Sequence, residues 1–198
     1  MEDKKQRNFT DSDSRILLSA DKSFLQGYNC QAAVDAENQV IVGCEATNQA
    51  SDNPHLREMV EQVEANVGQR PEKLSADAGY FSEANIESLE SKGIEAYVAT
   101  GKQRHNELVS PAQRGRIPKG LGVKARMMRK LRTKKGRKIY SRRKVIVEPV
   151  FGQIKQARGF RQFLLRGLRK VGGEWRLICL THNLLKLYGT RRAAQSSA

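Results

Sequence analysis

The chain has 198 residues and a formal net charge of +15, with 38% hydrophobic and 29% charged residues. This length fits one domain, or one domain with a basic extension, and the apolar content suffices for a hydrophobic core. No apolar run approaches the ~18 residues that cross a bilayer, the N-terminus lacks the apolar core of a signal peptide, and no Cys-x-x-Cys pair suggests zinc. We therefore expect a cytoplasmic protein with reduced thiols and no membrane partner.

The positive charge is concentrated in the second half of the chain. Residues 101–198 contain 27 Lys and Arg against three acids, whereas residues 1–100 contain 9 against 18, so the halves carry +24 and −9. A solvated surface normally intersperses acids with bases, and the second half has almost no acids. This distribution favours nucleic acid over an anionic membrane as the partner.

The N-terminal part predicts a hairpin after an unstructured lead-in. Residues 1–25 are mostly polar and without periodicity, which indicates a disordered segment. Residues 28–34 and 40–46 alternate between apolar and polar side chains, so they predict two antiparallel strands. Pairing their apolar faces requires a three-residue loop, which places Cys30 opposite Cys44.

Helices and strands then alternate. An apolar stripe after Pro54 predicts a helix that ends at Gly68, and Ser82 is suited to cap a second helix. Two short strands are predicted at Lys73–Ala76 and Ile94–Ala99. The order β-β-α-β-α-β predicts an α/β fold with a mixed sheet flanked by helices.

A basic insertion is predicted at about residues 101–138. The run Lys124–Lys138 shows no clear apolar face, and we interpret it as a phosphate-contacting arm, with a flexible linker as the alternative. Glu107 is the one acid in residues 101–138.

A helix carrying a lone acid follows the insertion. Apolar residues at positions 147, 150, 151 and 154 predict its buried stripe and place Glu148 and Lys155, two turns apart, along one edge. Because proline is tolerated only near a helix start, Pro149 predicts that this helix begins between Ser141 and Glu148. The alternative is an ordinary amphipathic helix with a solvated Glu and Lys.

The C-terminal part is predicted to end in a buried helix. A basic segment from Arg158 precedes two glycines, which open a helix at Glu174–Tyr188. This helix is apolar on most sides, so we expect it to be buried, with His182 as a core residue. Residues 189–198 form a tail.

Asp77 is the second candidate for chemistry. It ends a short strand and precedes Gly79, and strand ends are where an α/β sheet presents side chains to a ligand; capping a turn is the alternative. Phosphodiester cleavage by two Mg²⁺ ions about 3.5–4 Å apart requires clustered carboxylates as ligands. Asp77 and Glu148 are therefore candidate metal ligands.

The whole succession of elements resembles the catalytic domain of DDE transposases from bacterial insertion sequences, which is ribonuclease H-like. The resemblance covers roughly residues 26–188, and Ala76–Tyr80 looks like the strand-end motif of the family's second catalytic Asp. The residues that look like its Tyr-Arg-Glu-Lys signature are Tyr140, Arg143, Glu148 and Lys155. The arginine is one position away from the strict spacing, and Lys144 holds that position.

The resemblance implies metal-dependent DNA strand cleavage and strand transfer, with Asp77 and Glu148 binding two Mg²⁺ or Mn²⁺ ions. It also implies an association with the bacterial nucleoid. The side chains expected to bind DNA phosphate are Tyr140, Arg143, Lys144, Lys155 and Arg158.

One part of the family pattern is missing. The first catalytic Asp of these enzymes lies on a strand ahead of the hairpin, and Asp11, Asp13 and Asp21 do not follow an apolar strand. Asp35 lies at the hairpin turn. We therefore expect an N-terminally truncated, C-terminal fragment with little activity of its own. Its expected partners are DNA, with a homodimer on DNA and an upstream fragment of the same transposase as further candidates.

Two other functions fit the sequence. A non-catalytic DNA-binding remnant would use the basic half alone, and its affinity would fall steeply with salt. The weaker alternative is a basic RNA-associated protein unrelated to recombination.

Overall fold

The computed structural model describes residues 8–18, 23–101, 115–118 and 120–196. The strands are β1 (Arg15–Leu18), β2 (Phe24–Gly27), β3 (Asn29–Val34), β4 (Ile41–Thr47), β5 (Lys73–Ala76) and β6 (Glu95–Val98). The helices are α1 (Leu56–Val67), α2 (Glu83–Ser91), α3 (Val123–Arg132), α4 (Lys134–Gly152) and α5 (Leu168–Ser196). None of these helices is both long and apolar enough to span a membrane.

The chain divides into two compact units. We call them the hairpin unit, Met1–Ala50 with Pro149–Ala198, and the Asp77 unit, Ser51–Glu148. The described strands pair as three two-stranded sheets: β1 with β2 and β3 with β4 antiparallel, and β5 with β6 parallel. The α/β class is confirmed in this coarse form. The predicted single mixed sheet is not found among these strands, because the hairpin and the parallel pair have separate hydrogen-bond ladders.

In the hairpin unit, α5 packs against the β3–β4 hairpin. Its core contains Val150, Ile154, Trp175 and Ile178, each at most 4% exposed. Trp175 stacks on Phe151, with 5.9 Å between ring centroids, and its indole N–H donates to the Gln31 carbonyl at 3.1 Å. The single tryptophan therefore joins the last helix to the first strand of the hairpin.

The register of the hairpin differs from the prediction. Cys30 pairs with Ala46 and Cys44 with Ala32, so the two cysteines are not opposite each other. A bulge between Ala33 and Val34 shifts the register near the turn, and apolar alternation does not reveal such an extra residue.

The lead-in contains regular structure that the sequence did not predict. β1 lies inside the segment 1–25 and pairs with β2, while residues 1–7 and 19–22 lie outside the described residues. Two acids of this segment contact the start of α5: the Gly167 N–H donates to Asp11 at 3.2 Å and the Leu168 N–H to Asp13 at 2.9 Å. The partners in these contacts are more than 150 positions apart in sequence. The polarity of the segment itself does not predict them.

The Asp77 unit follows the predicted order closely. β5 occupies the predicted Lys73–Ala76, and the Ser82 hydroxyl caps α2 by accepting the Asn85 N–H at 3.1 Å. α1 ends at Gly68 in the left-handed conformation, φ 77°. Its core is formed by α1, α2, α3, β6 and the residue before β6. The buried residues are Leu56, Val60, Ile86, Leu89, Ile94, Ala96, Val98 and Met127.

The basic run has an apolar anchor that the prediction missed. Residues 102–114 and 119 of the insertion lie outside the described residues, but α3 is a regular helix, with Met127 only 3% exposed. A single buried methionine in a ten-residue cationic helix gives too weak a periodic signal to read from sequence.

α4 begins at least two turns earlier than predicted. It starts at Lys134, because the Thr133 hydroxyl accepts the Gly136 N–H at 3.0 Å as an N-cap does, and Pro149 lies inside the helix. A π turn at Gln153–Ala157 follows, so Lys155 no longer keeps the α-helical phase with Glu148 that the prediction assumed.

α5 is longer and more exposed than predicted. It runs through both glycines to Ser196, and among its leucines Leu177 is 60% and Leu180 54% exposed. The expectation of a fully buried helix was therefore wrong. His182 does lie in the core at 1% exposure, with Nε2 3.1 Å from the Gln39 carbonyl, and burial lowers its pKa.

Candidate functional site

The centre of the candidate site is the end of β5. Asp77 comes directly after this strand and precedes a 3₁₀ turn, Ala78–Tyr80. Its side chain is 56% exposed. An exposed carboxylate at a strand end is well placed to contact a ligand.

Arg143 neutralises this carboxylate. Its Nη1 lies 2.6 Å from Asp77 Oδ1, and both residues belong to the Asp77 unit. The sequence left open whether Arg143 or Lys144 takes the arginine role of the signature. Arg143 makes the contact, whereas Lys144 is exposed on the helix.

Tyr140 completes this group. The Arg143 guanidinium carbon lies 5.3 Å from the centre of the Tyr140 ring, one helical turn earlier on α4. Burial raises the pKa of Tyr140, the cation of Arg143 opposes this rise, and the charge of Asp77 adds to it. The phenol therefore stays protonated near neutral pH, where it can donate a hydrogen bond.

The Arg143 side chain is only 18% exposed, and its hydrogen-bonding capacity is not filled. Nε is buried and has no hydrogen-bond partner within the described residues. A guanidinium can bind a carboxylate in two parallel contacts, and Arg143 makes only one of the two with Asp77. Because Nε is buried, this edge can meet a further acceptor only if the Arg143 side chain moves.

Asp52 is a residue of this site that the sequence analysis missed. A Cβ added at Gly79 would lie 2.5 Å from Asp52 Oδ2, so this carboxylate touches the turn after Asp77. Burial raises the pKa of Tyr80, and the charges of Asp52 and Asp77 raise it further. Asp52 directly precedes a short helix, where an acid is usually a helix cap. The surrounding sequence therefore does not identify it as a site residue.

Glu148 lies on α4 in the same unit as Asp77. Its side chain is exposed, and its carboxylate has no hydrogen-bond or salt-bridge partner in the described part of the chain. The helix presents it on solvent-facing surface rather than in the apolar stripe. This free carboxylate can accept a cation without first breaking another contact.

Two predicted DNA contacts belong to the hairpin unit. Lys155 is exposed in the π turn, with its Nζ 5.7 Å from the centre of the Phe151 ring. Arg158 is half-buried and donates to the Ile178 carbonyl at 3.1 Å and to the Thr181 hydroxyl. The Arg158 guanidinium therefore helps to hold α5, a role that sequence spacing did not indicate.

A basic surface lies on α3 and α4. The segment Val123–Glu148 contains twelve Lys and Arg and one acid. Several of its cations pair with acids of the Asp77 unit, as Arg126 does with Glu90 at 2.6 Å. Those that are exposed and have no ion pair within the described residues are Lys124, Arg132, Lys134, Lys138, Arg142 and Lys144. We call these six residues the basic surface.

A family model described as the transposase DDE domain matches residues 10–184 of the chain. No curated protein and no solved structure matches the chain.

Proposed function

Since the chain belongs to the transposase DDE domain family, we propose that it carries the DNA-binding and metal-binding residues of a DNA strand-transfer reaction. Asp77 and Glu148 are its metal ligands in this proposal. The basic surface, together with Tyr140 and Arg143, holds the DNA backbone. Membership of a transposase family leaves no support for an RNA-associated protein unrelated to recombination.

The observation that carries this proposal is the contact of Arg143 with Asp77. The two residues are separated by 66 positions in sequence, and each comes from a different part of the family pattern. Their meeting at 2.6 Å supports a common site for the strand-end Asp and the signature on α4. A chance resemblance in either motif would not bring the two together.

The donors are suited to Mg²⁺ or Mn²⁺. Both cations prefer carboxylate oxygens, and Asp77 and Glu148 are exposed carboxylates on elements of one compact unit. When bound, such a cation lowers the pKa of a water ligand and neutralises negative charge on a phosphate. Tyr140 and Arg143 would position the phosphate by hydrogen bonds.

We further propose that the chain alone has little nuclease activity. Three acids that precede the Asp77 unit in sequence already accept hydrogen bonds. Asp11 accepts one from the Tyr28 hydroxyl at 2.7 Å and Asp13 accepts one from the N–H of the first residue of α5. Asp35 accepts one from the Asn38 N–H at 2.7 Å. Burial alone would raise the pKa of Asp11, but its hydrogen bonds leave it below the ordinary value. This supports a structural role for these acids and a third metal ligand supplied by an upstream transposase fragment.

The test is metal-dependent nicking of supercoiled DNA by the purified chain. We expect no nicking above background with Mg²⁺ or Mn²⁺, because two carboxylates are too few to hold both ions. Addition of an upstream transposase fragment should produce nicking, and Glu148→Gln should remove it while Glu174→Gln does not. Nicking by the chain alone that is lost in Glu148→Gln would contradict the proposed inactivity.

The second candidate function is a non-catalytic DNA-binding protein. The basic surface favours it, because its six cations need no metal to bind phosphate. The two candidates differ in the effect of the upstream fragment. If no such fragment restores nicking and the chain still binds DNA, the non-catalytic function is the correct one.

The homodimer belongs to the same proposal, and α5 offers a surface for it. Leu177, Leu180, Leu184 and Leu187 are each at least 50% exposed and follow a seven-residue repeat. Such a repeat packs against a second copy of itself. The residues that flank its C-terminal half are neutral, so two cationic chains can approach there: Thr181, Asn183, Tyr188 and Thr190.

Leu184→Glu should weaken self-association about tenfold or more, because it places a charge in the centre of this repeat. Sedimentation velocity over a range of protein concentrations measures the change. Leu165→Glu, at a similarly exposed leucine outside α5, is the matched control and should leave association unchanged. A monomeric wild-type chain at all concentrations, with and without DNA, would exclude the dimer.

A further inference from the structure

Arg143 has two competing uses in the Asp77 unit. Its Nη1 is bound to Asp77 at 2.6 Å, while its Nε is buried without a partner and its guanidinium carbon lies 5.3 Å from the centre of the Tyr140 ring. The group that neutralises the candidate metal ligand is therefore also the one with an unfilled edge for an anion. Because Nε is buried while Nη1 is held at Asp77, a phosphate can receive two parallel contacts only if the guanidinium leaves Asp77.

We propose that Arg143 couples metal binding to DNA binding: a divalent cation at Asp77 displaces Arg143, and the released guanidinium binds a DNA phosphate. This inference rests on the proposed function in one respect, that Asp77 is a metal ligand. The linkage between metal binding and DNA binding does not follow from either motif alone. The metal and the DNA backbone bind in a linked manner through one side chain.

The electrostatics favour this exchange. Asp77 is 56% exposed, and ion pairs of this exposure are weak because water screens them. A divalent cation carries twice the charge of Arg143 and binds carboxylate oxygen directly. Phosphate, in turn, can receive two parallel N–H contacts from a guanidinium, and the unfilled Nε edge supplies one of them.

The exchange predicts reciprocal effects. If the metal increases DNA affinity by some factor, DNA must increase metal affinity by the same factor, since both follow from one coupling free energy. Typical couplings of this kind amount to roughly 5- to 150-fold, and a single side chain belongs at the lower end. We expect a gain of about 5- to 10-fold in DNA affinity on adding metal at matched ionic strength.

A purely structural Arg143 would behave differently. In that case the ion pair only fastens α4 to the end of β5, and its loss would weaken metal and DNA binding together. In the coupling mechanism, removal of the guanidinium frees Asp77 for the metal while it removes a phosphate contact. The two affinities then change in opposite directions.

The experiment uses the full chain, Mn²⁺ as the metal probe and a fluorescently labelled DNA duplex. Mn²⁺ affinity is measured without DNA by electron paramagnetic resonance, and DNA affinity by anisotropy with and without Mn²⁺. Arg143→Gln should bind Mn²⁺ several-fold more tightly, bind DNA more weakly, and lose the gain in DNA affinity on adding metal. Arg142→Gln, the exposed neighbour on α4, should weaken DNA binding but keep the gain.

Asp77→Asn provides a second measurement that does not depend on Arg143→Gln being stable. It should lower Mn²⁺ affinity at least about tenfold, and without metal it should bind DNA as tightly as the metal-loaded wild type, because its guanidinium is free. If Asp77→Asn removes Mn²⁺ binding but Arg143→Gln keeps the full gain, the coupling is wrong and the metal site stands. If Asp77→Asn leaves Mn²⁺ binding unchanged, the metal site and the coupling are both wrong.

Discussion

The affinity of the chain for duplex DNA is expected to fall about a thousandfold when salt is raised from about 50 to about 200 mM. The reason is the release of counterions by cations that contact phosphate. If each residue of the basic surface neutralises one phosphate, the logarithm of affinity falls by about 5 for each unit of log salt. The residues that produce this slope are Lys124, Arg132, Lys134, Lys138, Arg142 and Lys144.

Fluorescence anisotropy across a salt series measures this slope. Arg142→Gln should reduce it by about one, since one phosphate contact is lost. Arg70→Gln is the matched control, because Arg70 is in the same unit but is paired with Glu64 at 2.9 Å and lies outside α3 and α4. A slope near zero for the wild type would remove the basic surface as a DNA-binding site.

Gly136→Ala is expected to destabilise the Asp77 unit by about 2–3 kcal/mol, because it forces an atom into closely packed backbone. A Cβ at this position would lie 2.0 Å from the Lys130 carbonyl oxygen and 3.0 Å from the Leu131 Cα. Backbone atoms of α3 cannot move aside as a flexible side chain does. The junction that orients the basic surface would therefore open.

Gly152→Ala is the matched control for this change. It lies in the same helix, and nothing comes within 4 Å of its added Cβ. Alanine there should be neutral or stabilise by about 0.5–1 kcal/mol, because it lowers the entropy of the unfolded chain. Denaturant unfolding followed by circular dichroism gives the total change, and hydrogen exchange in α3 locates it. Equal stability of both variants would show that the α3–α4 junction tolerates a side chain.

The sequence alone was sufficient wherever the controlling signal is local. The strand before Asp77 and the Ser82 cap of α2 occupy their predicted positions, and α1 ends at the predicted Gly68. Each depends on a few consecutive residues: an alternating strand, a hydroxyl within reach of an N–H, or a glycine in the left-handed conformation. The DDE transposase family was likewise predicted from motifs and their order, and the match over residues 10–184 confirms it.

The start of α4 shows why other predictions failed. Proline inside a helix is unfavourable in isolation, so Pro149 predicted a late start. The Thr133 cap and the close packing of Gly136 against α3 fix the start at Lys134 instead. Contacts between two helices outweigh one missing backbone hydrogen bond, and a single-segment pattern does not contain them.

By itself, the sequence determined the chemistry: which residues carry charge, which are carboxylates, and which local elements present them. The tertiary structure decided which of those groups meet. Arg143 rather than Lys144 reaches Asp77, Asp52 joins the same turn, and Asp11 accepts the N–H of Gly167 at the start of α5. Helical and strand periodicity report only neighbours along one element, whereas a pairing between distant elements depends on packing that no short stretch of sequence records.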